Sequence, residues 1–171
     1  MDVIFLAGVH GVGKGTAANI LSKKYKLKVF SASELIRKEK KSIVDVNKVV
    51  KGASENQDHL TSAVKKLKVN APTILLDGHF CLNSENGIFK VPENTFSKLN
   101  LKAVFLLCEQ PELISKRLLN RDGSALSVKS IESLQNEEVK QAKYITMLLN
   151  IPLYIGKSGQ LSEFEKYLSC N

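Results

Sequence analysis

Nine consecutive residues, Gly8-Val9-His10-Gly11-Val12-Gly13-Lys14-Gly15-Thr16, have the types and spacing that triphosphate chemistry requires. A triphosphate carries several negative charges, and backbone N–H groups neutralise them best at close range, where a side chain would stand in the way. Glycine permits that approach. Lys14 adds a compact cation able to follow a migrating phosphoryl group, and Thr16 adds a hydroxyl near the phosphates or in the shell of a magnesium ion. The strict pattern has Ser or Thr directly after the lysine, whereas Gly15 intervenes here. Such a loop needs a buried strand before it and a helix after it. The apolar run Val3-Ile4-Phe5-Leu6-Ala7 supplies the first, and the stretch from Gly15-Thr16-Ala17 onward reads as the second. The expected contacts of a nucleoside triphosphate are Gly8, Gly11, Val12, Gly13, Lys14, Gly15, Thr16 and Ala17. A ligand-free glycine-rich turn is the competing reading, and the strand–loop–helix order weighs against it.

Three further stretches extend the pattern: Phe30-Ser31-Ala32-Ser33-Glu34-Leu35-Ile36-Arg37, Thr73-Ile74-Leu75-Leu76-Asp77-Gly78 and Lys116-Arg117-Leu118-Leu119-Asn120-Arg121. With the Gly-Lys-Gly-Thr loop they resemble the nucleoside-monophosphate kinases, closest to adenylate kinase in its short archaeal form. The resemblance runs from residue 3 to 121 and continues more weakly to the C-terminus. It implies ATP- and magnesium-dependent transfer of the γ-phosphoryl group to a nucleoside monophosphate. Lys14, Arg117 and Arg121 would be catalytic, the two arginines closing as a lid over the transferring group. Ser31, Arg37, Asp77 and His79 would serve the substrate, Arg37 by gripping the acceptor phosphate. Thr16 and Asp77 would attend the magnesium ion, Asp77 through water. On residue chemistry alone, a carboxylate at the carboxyl end of a strand suits that task, and a turn cap before Gly78 is the alternative.

Arginine usage agrees. The chain has 22 lysines and three arginines, Arg37, Arg117 and Arg121, all on positions where the resemblance implies phosphate. A planar fork binds two phosphate oxygens at once, which lysine does poorly. The chain also departs from the family. After Asp77-Gly78 it continues His79-Phe80-Cys81-Leu82, and no arginine occurs before Arg117, so His79, Lys90 or a lysine of the 38–51 segment would have to replace a second acceptor-phosphate fork. The lid is short, with Lys129 and Lys140 standing where later lid arginines are absent. An acceptor other than a nucleoside monophosphate, either a small molecule or a polynucleotide, is therefore the alternative, as is a regulatory ATP-binding module with a basic nucleic-acid-binding face. Of the remaining histidines, His10 at the tip of the loop meets either nucleotide or solvent, and His59, in a polar helical stretch, is expected at the surface.

The elements that must position these groups follow from hydrophobic patterning. Short apolar runs at 2–7, 27–30, 72–77, 102–108 and 152–156 read as strands of a parallel sheet buried on both faces. Helices are expected at 15–25, 33–41, 54–69, 92–99, 111–119, 128–149 and 160–168. The alternation specifies an α/β P-loop fold, a doubly wound five-stranded parallel sheet flanked by helices, with ligands at the carboxyl ends of the strands. At 171 residues and 43% hydrophobic, the chain suits one domain, with an acceptor-binding segment at about 31–70 and a short lid at about 117–128. Three widely spaced cysteines, a first strand that carries Asp2 in place of a basic leader, and no membrane-length run point to a cytoplasmic protein. It is expected to be a monomer or weak oligomer. The net charge of +8 lies wholly in residues 1–70, which hold 14 basic and 6 acidic side chains. That field either draws in anionic nucleotides, binds nucleic acid, or is simply a lysine-rich solvated face, and the last is favoured because no aromatic stacking pattern accompanies it.

Overall fold

The structure, a computed structural model, describes residues 1–44, 53–67, 70–84 and 86–170. Residues 45–52 and 68–69 of the expected acceptor-binding segment lie outside them. Five apolar runs form the expected strands: β1 (Asp2–Ala7), β2 (Lys28–Ser31), β3 (Thr73–Asp77), β6 (Leu101–Leu107) and β7 (Leu153–Gly156). They make one sheet in the order β2-β3-β1-β6-β7, every pair parallel. Helices α1 (Lys14–Tyr25), α2 (Ala32–Val44), α3 (Ala53–Lys66), α4 (Glu93–Ser97), α5 (Pro111–Asp122), α6 (Val128–Leu149) and α7 (Ser162–Cys170) connect and flank them.

Because β1 is paired on both edges and covered on both faces, Val3 to Ala7 are at most 2% exposed, which is why this run is continuously apolar instead of alternating. Its position has a functional consequence. The chain leaves β1 through α1 towards β2 and returns to β3 on one side of β1, then crosses to β6 on the other. The crevice of a doubly wound sheet opens where the strand order reverses in this way, beyond the carboxyl ends of β1 and β3. Those two ends carry the glycine-rich loop and Asp77.

Gly78 follows Asp77 for a packing reason. A Cβ on Gly78 would stand 2.6 Å from Cε2 of Phe5, a ring that is 1% exposed and lies edge-on to Phe80 and Phe96 at 5.1 and 5.5 Å. Overpacking a core at this range costs about 1–3 kcal/mol. Gly78→Ala is therefore expected to lower unfolding free energy by about that amount, read as a lower urea midpoint at unchanged slope.

A hairpin between β3 and α4, β4 (Cys81–Ser84) paired with β5 (Gly87–Lys90), is not among the elements expected from the hydrophobic pattern. Its strands are four residues long with mostly exposed outer positions, so no buried run announces them. The available signal is the Asn86-Gly87 step, with Gly87 at φ 101°. His59 is also corrected. It is 9% exposed and buried, because it lies beside Leu60 at the start of a helical stripe of α3 that continues through Ala63 and Val64.

The stretch expected as a short lid is the end of one helix and the start of the next. Pro111 and Glu112 occupy the first turn of α5, and the helix continues past Arg121 to Asp122. Gly123, at φ 71°, ends it by donating its N–H to the Leu119 carbonyl. After residues 124–126, Ser127 caps α6, its Oγ accepting the Ser130 N–H at 3.1 Å.

Candidate active site

A cavity of about 520 Å³ opens at the carboxyl ends of β1 and β3. The loop forms its floor. Gly13 precedes α1 at φ 107°, and a Cβ there would fall 2.5 Å from the Ser158 Cβ, so both conformation and contact require glycine. Gly15 differs. A Cβ at that position would meet no atom of the described residues within 4 Å, so its place after Lys14 answers no packing demand among them.

Lys14 is 7% exposed, and its Nζ donates to the carbonyls of Gly8 at 2.6 Å and Val9 at 3.3 Å, with Asp77 Oδ1 at 3.8 Å. Burial pushes its ammonium below the ordinary lysine range, against the pull of Asp77 and Glu138. Asp77 is shifted the other way, its carboxyl raised by burial against Lys14 and His10. Both charges of the pair are thus opposed by partial desolvation, and Asp77 Oδ1 is buried without a hydrogen-bond partner among the described residues. An orphaned carboxylate oxygen in the same cavity as the exposed Thr16 suits a water held by magnesium.

Arg117 and Arg121, four residues apart on α5, also line the cavity. Arg117 Nη1 donates to the Val12 carbonyl at 3.0 Å, and its guanidinium lies 3.5 Å from Glu109. Arg121 is held by Asp122 at 2.6 and 2.7 Å. Other parts of the wall carry Ser31, Ser33, Ile36 and Leu60, together with Leu82, Val91 and Phe96. Ser31 and Ser33 share a hydroxyl hydrogen bond of 2.9 Å.

His79 completes the site. Its ring meets that of His10 edge to face at 5.2 Å and hydrogen-bonds the Gly8 backbone. Burial first, then the charges of Lys14 and His10, hold its pKa at about 3. His10 is lowered too, chiefly by burial and Lys14. His79 is therefore neutral in the folded protein while its unfolded counterpart gains a proton below about pH 6.5. The stability of the wild type should be fully present above pH 6.5 and decline towards pH 3, relative to His79→Asn, by up to about 1.4 kcal/mol per pH unit. Parallel denaturation curves at several pH values check the slope, and a histidine NMR titration should find His79 unprotonated at pH 5.

Not every expected contact meets the cavity. Val12 and Ala17 are 0% exposed and buried in the core, and Gly8 uses its N–H and carbonyl internally, so these three do not line it. Arg37 is exposed and does not line it either. Lys90 and Lys140 both pair with Glu137, whose carboxyl their hydrogen bonds hold down at about 2. Sequence reasoning missed Glu138, which lies behind the loop with 0% exposure. Its signal was position: it falls on the buried stripe Ile131, Leu134, Ala142 and Ile145 of α6.

Comparison with known proteins agrees with this layout. A family described as AAA domain matches residues 7–135, which include the loop, Asp77 and both cavity arginines. The adenylate kinase of Wigglesworthia glossinidia brevipalpis is 32% identical over 121 residues, 69% of this chain and 55% of the relative, so the match spans about half of that protein's length. The adenylate kinase of Thermoplasma acidophilum is 27% identical over 150 residues, 80% of this chain and 78% of that one. A solved structure of an uncharacterized protein from Eubacterium ventriosum shares the fold, with a TM-score of 0.51 at 15% identity over 99% of this chain and 98% of the other. The chain belongs to this P-loop family of AAA domains and stands close to adenylate kinase among the nucleoside-monophosphate kinases.

Proposed function

We propose that the protein transfers the γ-phosphoryl group of ATP, with magnesium, to a nucleoside monophosphate. The observation that carries this reading is one cavity joining the loop and its cations to the Ser31–Ile36 wall, so that donor and acceptor can meet in a shared space. The likeness to two adenylate kinases supports it. ATP would lay its phosphates over Gly11, Gly13, Gly15 and Thr16. Lys14 would leave the Gly8 and Val9 carbonyls for the phosphate oxygens, and Arg117 and Arg121 would turn from their present partners onto the transferring group. An acceptor oxygen forms its bond to the γ-phosphorus as the bond to the bridging oxygen of ADP breaks. Magnesium, when bound, neutralises charge on the phosphates, and Thr16 and Asp77 are the residues to hold it, Asp77 through water. No described helix is long and apolar enough to cross a membrane, and the expected setting is the cytoplasm, with the chain a monomer or weak oligomer.

A second reading is favoured by one observation. Arg37 lies outside the cavity, and the wall where an acceptor would sit is built from Ile36, Leu60, Leu82, Val91 and Phe96, with a neutral His79 in the same cavity. That lining suits a hydroxyl-bearing acceptor. A panel of nucleoside monophosphates, nucleosides, 5′-hydroxyl oligonucleotides and small hydroxylated metabolites, assayed with γ-labelled ATP, separates the two. Label in a nucleoside diphosphate, lost in Arg37→Ala, supports the monophosphate reading. Strong transfer to an unphosphorylated acceptor, indifferent to Arg37→Ala, overturns it in favour of the second.

A further inference from the structure

Glu138 is an ionisable group with 0% exposure, in a helix whose neighbouring acid, Glu137, is partly exposed and holds two lysines. Its hydrogen bonds among the described residues all come from backbone N–H groups. Oε1 accepts from Gly8 at 3.1 Å and from Phe80 at 2.9 Å, and Oε2 accepts from Phe80 at 3.0 Å and Cys81 at 2.6 Å. These partners donate and none accepts, so the carboxylate, which only accepts, is the form that fits. One side chain therefore fastens together two backbone segments that are far apart in sequence: the entrance of the phosphate loop and the turn that follows Asp77-Gly78-His79.

What those segments carry makes the clamp more than a core contact. The Gly8 carbonyl holds Lys14 Nζ at 2.6 Å, and the Gly8 backbone also hydrogen-bonds His79. Gly8 is thus tied to Glu138 by its N–H and, through its backbone, to two side chains of the cavity. Asp77 lies three residues before Phe80, its Oδ1 at 3.8 Å from Lys14. Shifting the Phe80–Cys81 backbone away from Gly8 moves Asp77 and His79 relative to Lys14, and the site depends on that spacing.

We infer that Glu138 is a positioning residue, a buried carboxylate strap that sets the donor loop against the Asp77–His79 turn so that the two halves of the cavity stay in register. The inference rests on the phosphotransferase reading only for its kinetic consequence, since the strap itself is a matter of geometry. Glu138→Gln discriminates well. An amide offers one accepting oxygen, and the orientation that keeps Gly8 and Phe80 bonded points its NH2 at the Cys81 N–H, donor against donor. The loop end is kept and the turn end is released.

The test compares full-length wild type, Glu138→Gln and Glu138→Asp, the last keeping the charge but losing a methylene of reach. Melting curves establish that each is folded at the assay temperature. Calorimetric titration with ADP should give affinities within about threefold of wild type, because the loop end stays bonded. Turnover with the best acceptor should fall about tenfold or more at little-changed KM for ATP. Ring NMR signals of the three histidines supply a readout that needs no turnover. In the folded Glu138→Gln protein the His79 signal should move and broaden while His59 stays in place. If the wild type transfers to no acceptor, the proposed function fails and the histidine spectra still decide the strap. A folded Glu138→Gln protein with unchanged turnover or an unmoved His79 signal overturns the inference, as does equal loss of ADP binding and turnover in step with a lowered melting temperature. Should Glu138→Gln fail to fold, Glu138→Asp is read by the same criteria.

Discussion

Lys14→Met is expected to reduce phosphoryl transfer by several powers of ten while the protein remains folded. The ammonium is held at the floor of the cavity by two backbone carbonyls, 7% exposed, with the Asp77 carboxylate at 3.8 Å. On the proposed reading it exchanges these carbonyls for the phosphate oxygens on which charge develops during transfer, and loss of such a contact is worth roughly 3 to 5 kcal/mol of transition-state stabilisation. Methionine retains most of the aliphatic stem, so packing against the loop survives. The check is turnover under saturating ATP together with circular dichroism. Near-normal turnover in a folded Lys14→Met protein would remove the lysine from the chemistry.

Asp77→Asn should have the next largest effect. The amide preserves shape at the end of β3 but removes the charge and half the accepting capacity of a group whose Oδ1 has no hydrogen-bond donor among the described residues. If that oxygen serves a magnesium-bound water, turnover falls about 100- to 1,000-fold, in line with loss of one electrostatic element of a preorganised site. The magnesium concentration for half-maximal rate should rise, whereas ADP affinity without metal should hardly change. Stability should not fall in proportion, because burial already opposes the Asp77 charge. A magnesium dependence identical to wild type would mean that Asp77 is only a counter-charge for Lys14.

The legible parts of this molecule are those where backbone physics and residue type coincide. The central strands could be read because a parallel strand covered on both faces must be a continuous apolar run, and residues 3–7 of β1, 74–76 of β3 and 103–107 of β6 are such runs. The loop could be read because glycine at Gly13 is enforced twice, by φ and by Ser158. Asp77 could be read from its place at a strand end. What escaped depends on tertiary partners. Ser158 and Gly13 meet from opposite ends of the chain. Glu138 looks like one more solvated acid beside Glu137 until the buried stripe of α6 is drawn through it. His59 sits in a polar string, and only the apolar residues that follow it in α3 show that it turns inward. The β4–β5 hairpin begins at Cys81, separated from Asp77-Gly78 by two residues, and the Leu82 and Val91 side chains that it and its exit bring to the cavity shape the wall where the chain leaves its family's pattern.

The most direct test of the account is a single-turnover reaction of the wild-type protein with γ-labelled ATP, magnesium and AMP, quenched in time and separated by chromatography. The account predicts label arriving in newly formed ADP at a rate that depends on AMP, with none transferred by Lys14→Met. Label that stays in ATP, or that appears only as inorganic phosphate at a rate indifferent to AMP, would contradict it.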